Sequence, residues 1–328
     1  MHGSAMHDIS VIIPTVHNSS RSERTQNVIL TLLRQEEIRL EIILVVQARP
    51  GDKVQHLEGV KTIVSNVFSS SHSRNLGAYH ATADVISFLD DDTVPYAGDF
   101  YRQIKRILDS GDVDFVTCNI VANGKKLAAS RISSDIIIDR RSIIGNMWEP
   151  GLSLRRSTFL QFQFDPTLGI GAVHGSGEGF DLGARLLDAG LRGRRYAALE
   201  IDHPPLPLDY DFDVSRTFYY SLGNGSSLVA RRFYKQYAKQ ILKQVIKFIL
   251  YSVLSKRGNA KLAMLRLLCL IIGPMVPRVV PQIVPRHLAQ KVFEAETKKF
   301  CAGARDGAAV GIAGQDDSVE RDIRVSPC

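Results

Sequence analysis

Three consecutive carboxylates, Asp90, Asp91 and Asp92, follow an apolar run that predicts a strand over Val85–Leu89. Carboxylates gathered at the end of a buried strand repel one another unless a cation lies between them. If the extended backbone continues, Asp90 and Asp92 point to one side and Asp91 to the other. Carboxylate oxygens suit Mg²⁺ or Mn²⁺. The sequence therefore predicts a divalent-metal site at Asp90 and Asp92, with a solvated acidic turn as the alternative.

The elements that would position these carboxylates alternate between short apolar runs and helical patterns over the first 120 residues. This alternation is typical of strand-helix-strand units in a parallel sheet. Strands are predicted over Ile9–Ile13, Glu41–Val46, Val60–Val64, Val85–Leu89 and Val113–Thr117, and helices over Arg24–Gln35, Ser73–Thr82 and Asp99–Asp109. The predicted fold class is α/β, a nucleotide-binding sheet flanked by helices, with ligands expected at the carboxyl ends of its strands.

A glycine-rich stretch, Gly169–Gly179, lies in an irregular region at 127–199 and leads into a predicted helix over Glu178–Ala189. Glu178 and Asp181 are three residues apart, so they lie on one face of this helix. Acids at this position stabilise a helix N-terminus, and they can also reach a ligand bound where loops converge.

A series of short motifs resembles the inverting family 2 glycosyltransferases, which have a nucleotide-diphospho-sugar transferase (GT-A) fold. The motifs extend over about 60% of the chain, from Asp8 to Pro205. They are Val11-Ile12-Ile13-Pro14-Thr15, Glu41-Ile42-Ile43-Leu44-Val45-Val46, Ser73-Arg74-Asn75-Leu76-Gly77, Phe88-Leu89-Asp90-Asp91-Asp92, Phe164-Asp165-Pro166-Thr167-Leu168-Gly169, Gly177-Glu178-Gly179-Phe180-Asp181-Leu182 with Arg185, and His203-Pro204. Each motif is short, and their order and spacing together make the resemblance specific.

The resemblance implies a nucleotide-sugar site at the ends of the first two strands. Pro14, Thr15 and His17 would line the nucleotide pocket, and Gln47 stands where the family usually has an aspartate. Glutamine can still hydrogen-bond a base, and a UDP-sugar is the favoured donor. Arg74 matches an arginine beside the nucleotide, where a guanidinium serves base or diphosphate. Its alternative role is local, capping carbonyls or pairing with Asp84.

The aspartate cluster matches the family's metal motif, which implies Mg²⁺ or Mn²⁺ as cofactor. Asp90 and Asp91 are then expected near the nucleotide sugar, with Asp90 and Asp92 on the metal. Relatives supply a further ligand at the position of His203, although a lone histidine is also common as a structural residue. A metal on the diphosphate offsets the charge that develops on the leaving group.

Transfer to a hydroxyl also needs a base, which the family usually presents as the aspartate of a Gly-Glu-Asp sequence. This chain reads Gly177-Glu178-Gly179, so that aspartate is missing. The nearest substitutes are Glu178 and Asp181, and Glu178 is favoured because it lies in the glycine-rich entry to the helix. Stabilisation of the helix N-terminus remains the alternative role for both.

The charge of the chain is concentrated in one segment. Of 328 residues, 45% are hydrophobic and 23% charged, which excludes a disordered, collagen-like or polytopic membrane chain. The net charge is +7, yet residues 231–300 alone carry +13 and the remainder −6. Lys235, Lys239, Lys243 and Lys247 recur every four residues, opposite aromatic and aliphatic side chains.

This pattern predicts a basic amphipathic helix that contacts an anionic membrane surface, or else a solvated face of the protein. The apolar run at 262–276 is interrupted by Arg266 and, at 15 residues, is expected to be too short to span a bilayer. No RNA-binding or helix-turn-helix motif accompanies the charge, so nucleic acid is not an expected partner.

The predicted organisation is a catalytic domain at 1–228, a basic helical region at 229–300 and a disordered tail at 301–328. The four scattered cysteines and the absence of a signal-like start favour a cytoplasmic protein, or one on the cytoplasmic face of the inner membrane.

The resulting hypothesis is an inverting glycosyltransferase that acts on a hydroxyl of a glycan or polyprenyl-diphosphate-linked oligosaccharide in exopolysaccharide or surface-glycan synthesis. A polyprenyl-phosphate glycosyltransferase and an inactive nucleotide- or membrane-binding scaffold are the alternatives. A sugar nucleotidyltransferase is disfavoured, because Pro14–Ser20 lacks the glycine-rich loop that would hold a triphosphate.

Overall fold

The structure, a computed structural model, describes residues 7–121, 131–204 and 210–281. The tail predicted at 301–328 lies outside these residues, as does the part of the basic region beyond residue 281. Cys118 and Cys269 are buried free thiols. The other two cysteines, Cys301 and Cys328, fall outside the described part of the chain.

Nine strands of the described chain form one mixed sheet. They are β1 (Ile9–Val16), β2 (Leu40–Gln47), β3 (Val60–Ser65), β4 (Val85–Phe88), β5 (Val94–Pro95), β6 (Phe115–Val121), β7 (Ile136–Ile138), β8 (Ser153–Arg155) and β9 (Gly193–Asp202). The strand order is β3-β2-β1-β4-β8-β6-β9-β5, with β7 paired to β9. The strands β1 to β4 run parallel, and β8 is antiparallel to both of its neighbours.

Helices cover both faces of the sheet. They are α1 (Ser19–Leu33), α2 (Ser70–His80), α3 (Phe100–Asp109), α4 (Arg156–Phe162), α5 (Glu178–Asp188), α6 (Tyr210–Ala230), α7 (Tyr234–Val253) and α8 (Arg257–Ile272). Alternate residues of β1 enter two separate cores: Ile13 packs with α1 and α3, and Ile12 packs with α2, α4 and α5. Because both faces are covered, β1 is mostly apolar and is buried along nearly its whole length.

The predicted α/β fold class is confirmed, and all five predicted strands are present with small shifts at their ends. The helix α2 begins at Ser70, three residues before the prediction, because the Ser69 side chain accepts a hydrogen bond from the His72 N–H and caps it. The sequence did not predict β5, β7, β8 or β9. The first three have only two or three residues each, too short for a periodic pattern.

Three helices, α6, α7 and α8, follow the sheet and pack against one another. The boundary proposed at residue 228 lies inside α6. This region is tied to the sheet domain by ion pairs from Arg231 to Asp181 and from Arg278 to Asp165.

The apolar segment of this region is longer than the sequence indicated. The helical stretch Arg257–Met275, 19 residues, is long and apolar enough to cross a membrane by length and composition alone. The expectation that it is too short is therefore wrong. A buried helix of a soluble protein meets the same two criteria.

Candidate active site

The carboxylate cluster lies immediately after β4, in a tight turn. The Thr93 N–H donates to the Asp90 carbonyl at 3.2 Å, and the Asp90 N–H donates to Thr93 Oγ1 at 3.0 Å. This turn fixes the directions of three successive side chains. Asp90 and Asp92 are partly exposed on one side, and Asp91 is buried on the other.

Asp91 connects the turn after β4 to β1 and α1. Its Oδ2 accepts a hydrogen bond from Thr15 Oγ1 at 2.6 Å, and Arg21 Nη1 lies 2.8 Å from its Oδ1. Both carboxylate oxygens are thus engaged within the protein. The predicted nucleotide contacts of Asp91 and Thr15 are not retained in our proposal, because these two side chains are hydrogen-bonded to each other.

The ends of β1 and β2 meet as the resemblance implied. Val16 pairs with Gln47 in the parallel register, and the His17 N–H donates to the Gln47 carbonyl at 2.9 Å. The side chain of His17 is exposed, whereas Pro14 and Gln47 are buried. Among these predicted residues, His17 is therefore the side chain most open to a ligand.

Asp90, Asp92 and His203 come together although more than 100 residues separate the first two from the third. One ligand atom from each of the three lies within 4.8 Å of the others. The strand β9 ends at Asp202 and places His203 there, with its N–H bonded to the Val121 carbonyl at 2.8 Å. His203 Nδ1 lies 2.7 Å from the Pro204 carbonyl, and Nε2 lies 4.0 Å from Asp92 Oδ1.

This donor set fits a divalent cation. A carbonyl oxygen only accepts, so Nδ1 of His203 carries the proton and Nε2 has a free lone pair beside Asp92. Burial, with repulsion from Asp91, raises the pKa of Asp92 to about 6. A cation between the carboxylates would relieve that repulsion. Two carboxylate oxygens and one imidazole nitrogen suit Mn²⁺ or Mg²⁺ with water and phosphate oxygens as further ligands.

Arg74 lies at the centre of the carboxylates, on α2. Its side chain is buried, with Nη2 at 2.6 Å from Asp90 Oδ1 and Nη1 at 3.7 Å from Glu178 Oε1. Burial opposes the charge, yet the carboxylates of Asp90, Glu149 and Glu178 hold the pKa of Arg74 above its ordinary value. The alternative pairing with Asp84 is wrong, because Asp90 is the partner. The buried Nε and Nη1 atoms have no hydrogen-bond acceptor in the described chain.

Hydrogen bonds connect the glycine-rich loop and the residues before it to α2, the helix that carries Arg74. Ser70 N–H donates to the Ile170 carbonyl at 2.9 Å, Ser71 Oγ donates to the Leu168 carbonyl at 2.7 Å, and Asn75 exchanges two hydrogen bonds with the backbone of Phe164. The loop therefore holds a fixed position beside the cluster.

Glu178 is the first residue of α5 and is only 6% exposed. The preceding Gly177 has φ +95°, a left-handed conformation that lets the chain turn into the helix. Burial, with repulsion from Glu149, raises the pKa of Glu178 to about 8. Glu178 therefore lies at the cluster as predicted, in an environment that favours its neutral form.

Asp181 does not face the cluster as an open carboxylate. Its side chain is fully buried, with Arg185 Nε at 2.9 Å and Arg231 Nε at 2.6 Å. Two arginines on one enclosed carboxylate form a structural ion pair that joins α5 to the end of α6. The catalytic role predicted for Asp181 is therefore not retained.

Glu149 is the residue that sequence reasoning missed. It precedes Pro150 and Gly151, a pattern that by itself indicates only a turn. In the structure the Gly179 N–H donates to Glu149 Oε1 at 2.7 Å. A signal was present in the sequence: glycine at 179, where the family has an aspartate, leaves room for a side chain from elsewhere.

A comparison with protein-family models gives one match that includes part of this site. Residues 10–168 match the family model described as glycosyl transferase family 2. This segment is therefore similar to the family 2 glycosyl transferases. Arg74, Asp90, Asp92 and Glu149 lie inside the matched residues, and Glu178 and His203 follow them.

Structures of S. aureus TarS are similar to part of this chain. A structure of TarS residues 1–349 in complex with UDP-GlcNAc has 14% identity and a TM-score of 0.46, covering 62% of this chain and 60% of that chain. Another structure of TarS 1–349 has 13% identity and a TM-score of 0.49, covering 68% and 65%. The chain thus spans less than two thirds of the length of these structures. No curated protein matches it significantly.

Proposed function

We propose that this protein is a metal-dependent, inverting glycosyltransferase that moves a sugar from a nucleoside diphosphate sugar to a hydroxyl group. The observation that carries the proposal is the meeting of Asp90, Asp92 and His203 beside a buried arginine, with both aspartates inside the segment that matches family 2. The cluster lies at the carboxyl edge of the sheet, where ligands of open α/β folds bind.

Asp90, Asp92 and His203 would hold Mn²⁺ or Mg²⁺. A cation bound there offsets negative charge on the diphosphate leaving group. His203 is already in the tautomer that such binding needs, because its Nδ1 proton is committed to the Pro204 carbonyl.

Arg74 would orient Asp90 and face the donor diphosphate. Its ion pair with Asp90 fixes one carboxylate oxygen, and the buried Nε and Nη1 atoms, which have no acceptor in the described chain, can donate hydrogen bonds to phosphate oxygens. A delocalised, always charged fork suits this role better than a lysine. Nucleotide would lie over the joined ends of β1 and β2, near His17 and Gln47.

The reaction also needs a carboxylate that accepts the proton of the attacking hydroxyl. Glu178 is the candidate indicated by the sequence, and Glu149 lies beside it at the start of α5. A single displacement inverts the anomeric carbon, so an α-linked donor gives a β-linked product. The proposed donor is a UDP-sugar, and the proposed acceptor a glycan or polyprenyl-diphosphate-linked oligosaccharide of surface or exopolysaccharide synthesis.

Peripheral contact with the cytoplasmic face of the inner membrane forms part of the proposal. The helix α7 exposes Lys235, Lys239 and Lys243 together with the apolar side chains of Leu242, Ile246, Ile249, Leu250 and Val253. Lysines beside exposed aliphatic side chains suit an anionic lipid surface. A lipid-linked acceptor would be met there.

The test is release of nucleoside diphosphate from a panel of UDP-, GDP- and dTDP-sugars, with Mn²⁺, with Mg²⁺ and with EDTA, and with or without membrane extract as a source of acceptor. We expect turnover of at least one donor, dependent on metal and faster with extract. Binding of nucleotide without release from any donor would contradict the enzyme and favour an inactive scaffold.

A further inference from the structure

The space beside Gly179 is filled by a carboxylate from another part of the chain. A Cβ atom built on Gly179 would lie 2.8 Å from Cδ of Glu149 and even closer to its Oε1. Gly179 lies inside α5 and has no left-handed φ, so its backbone would accept an ordinary side chain. The glycine is therefore needed for room, and the room is taken by Glu149.

We propose that Glu149 is the base that accepts the proton of the acceptor hydroxyl, an assignment that rests on the proposed function. It places the reacting carboxylate on the loop between β7 and β8 instead of on α5. The glycine at position 179 is then accompanied by a relocated carboxylate, which lies against that glycine.

The backbone holds this carboxylate next to the metal-binding turn. The Gly151 N–H, two residues after Glu149, donates to the Phe88 carbonyl at 2.7 Å, and Phe88 is two residues before Asp90. The Leu152 N–H donates to the Glu149 carbonyl at 3.1 Å. Hydrogen bonds thus position Glu149 at two points. The end of β4 positions its backbone, and the N-terminus of α5 positions its Oε1 atom.

Solvent accessibility favours Glu149 over Glu178 as the base. Glu149 is partly exposed, whereas Glu178 is buried, lies 3.7 Å from Arg74 and fits under the loop at Gly169. A base must reach the acceptor oxygen directly or through one water. Glu178 is enclosed, in an environment that favours its neutral form. It is suited instead to influence the electrostatic environment of Arg74.

The surroundings of Glu149 suit a carboxylate that takes up a proton. Oε1 accepts one backbone hydrogen bond, and no side chain in the described chain donates to either oxygen. Burial raises the pKa of Glu149, while Arg74 and the Gly179 N–H favour its ionised form. The result is a carboxylate that is more basic than an exposed one and remains available to the cleft.

The step is balanced without further reactants. As the acceptor oxygen bonds to the anomeric carbon, its proton passes to Glu149 and the bond from that carbon to the diphosphate breaks. The nucleoside diphosphate leaves with the electron pair of that bond. Glu149 then returns the proton to solvent.

The experiment compares Glu149→Gln and Glu178→Gln with Glu58→Gln, a control at an exposed glutamate. The substrate is the panel donor that the wild-type protein turns over fastest, with Mn²⁺ and membrane extract. UDP binding is measured by calorimetry with Mn²⁺, and thermal melting reports folding. For Glu149→Gln we expect turnover to fall by about 100-fold or more, the range of a lost general base, with UDP affinity and melting close to wild type.

A relocation variant gives a second and independent readout. Gly179→Asp alone should lose turnover because its side chain overlaps Glu149, whereas Glu149→Ala combined with Gly179→Asp should recover about tenfold or more over Glu149→Ala. A folded Glu149→Gln variant with near-normal turnover would overturn the assignment and leave the proposed function intact. Absence of turnover in the wild-type protein with every donor would contradict the proposed function itself.

Discussion

Arg74 Nη2 lies 2.6 Å from Oδ1 of Asp90, and this partly buried pair connects α2 to the turn that carries Asp90 and Asp92. The arginine is also close to two further carboxylates, Glu149 and Glu178, which hold its pKa high. Three carboxylates therefore share the charge of one buried cation.

Removing that cation should affect both folding and binding. Arg74→Ala leaves buried carboxylates without a counter-charge, and breaking such a pair typically costs about 3–5 kcal/mol. We expect a clearly lower melting temperature and at least about tenfold weaker UDP binding with Mn²⁺. Arg74→Lys keeps the charge, so it should recover much of the stability and less of the binding. Equal UDP affinity in all three proteins would show that Arg74 does not meet the nucleotide.

The histidine should contribute to metal affinity through its free Nε2 atom. We expect His203→Ala to weaken Mn²⁺ binding by about tenfold or more in a calorimetric titration of the protein with UDP. The matched control is His56→Ala, at an exposed histidine away from the cluster. Unchanged Mn²⁺ affinity in the His203 variant would remove it from the ligand set.

The stability of the metal-free protein should depend on pH through Glu178. Its pKa is raised from an ordinary 4.5 to about 8, so the folded state binds this proton more tightly than the unfolded state does. The corresponding stability is complete below about pH 4.5 and is lost as pH rises through 8, to the extent of a few kcal/mol. Glu149, Arg74 and Asp90 are the charged groups that act on it.

Glu178→Gln should remove this dependence, because its side chain cannot ionise. In thermal melts at pH 5 and pH 8.5 with a chelator present, we expect the variant to lose less stability than the wild-type protein on going to the higher pH. An identical loss in both proteins would contradict the assigned environment of Glu178.

Because Gly179 packs against Glu149, adding a single methyl group at position 179 should lower turnover. Gly179→Ala should displace the Glu149 carboxylate, which is the flexible end of a side chain, and lower turnover by about tenfold or more with only a small change in melting temperature. In a Glu149→Ala background the same substitution should change turnover little, since the carboxylate is already absent. Steady-state rates of the four proteins form the double-mutant cycle. Additive effects would mean that the two positions do not interact.

Membrane contact should depend on the lysines of α7. Each lysine near an anionic surface contributes about 1 kcal/mol, so changing Lys235, Lys239, Lys243 and Lys247 to Gln should weaken binding to phosphatidylglycerol vesicles by well over about tenfold. Phosphatidylcholine vesicles provide the control for charge. Substitution is preferable to truncation after Leu228, which would also remove Arg231 from Asp181. Equal sedimentation of both proteins with anionic vesicles would contradict the lysine contact.

The parts of the fold that the sequence predicted are those with a strong local pattern. The apolar runs of β1 and β2 and the acids after β4 can be recognised because each is continuous in sequence. The approach of His203 to Asp92 depends on β9, whose bonds to β6 include a register shift after Cys118. From the sequence, His203 was indicated only by the family resemblance.

The exposed face of α7 and the role of Glu149 could not be predicted, because both depend on tertiary packing. Tyr237, Ile241 and Phe248, on the side of the helix predicted to be opposite the lysines, are half-buried in the structure. The outward apolar residues instead lie among the lysines. Glu149 contacts Gly179 across 30 residues of chain that include β8 and α4, and no periodic pattern specifies such a contact.

The most direct measurement compares metal-dependent release of nucleoside diphosphate by the wild-type protein, Asp92→Asn and Asp84→Asn. Asp84 precedes β4 and is exposed, so it is a matched control at the opposite end of the same strand. We predict turnover by the wild-type protein and Asp84→Asn in Mn²⁺, abolished by EDTA, and a loss of about 100-fold or more in Asp92→Asn. Full turnover by Asp92→Asn, or release that persists in EDTA, would contradict a metal-dependent transferase at this cluster.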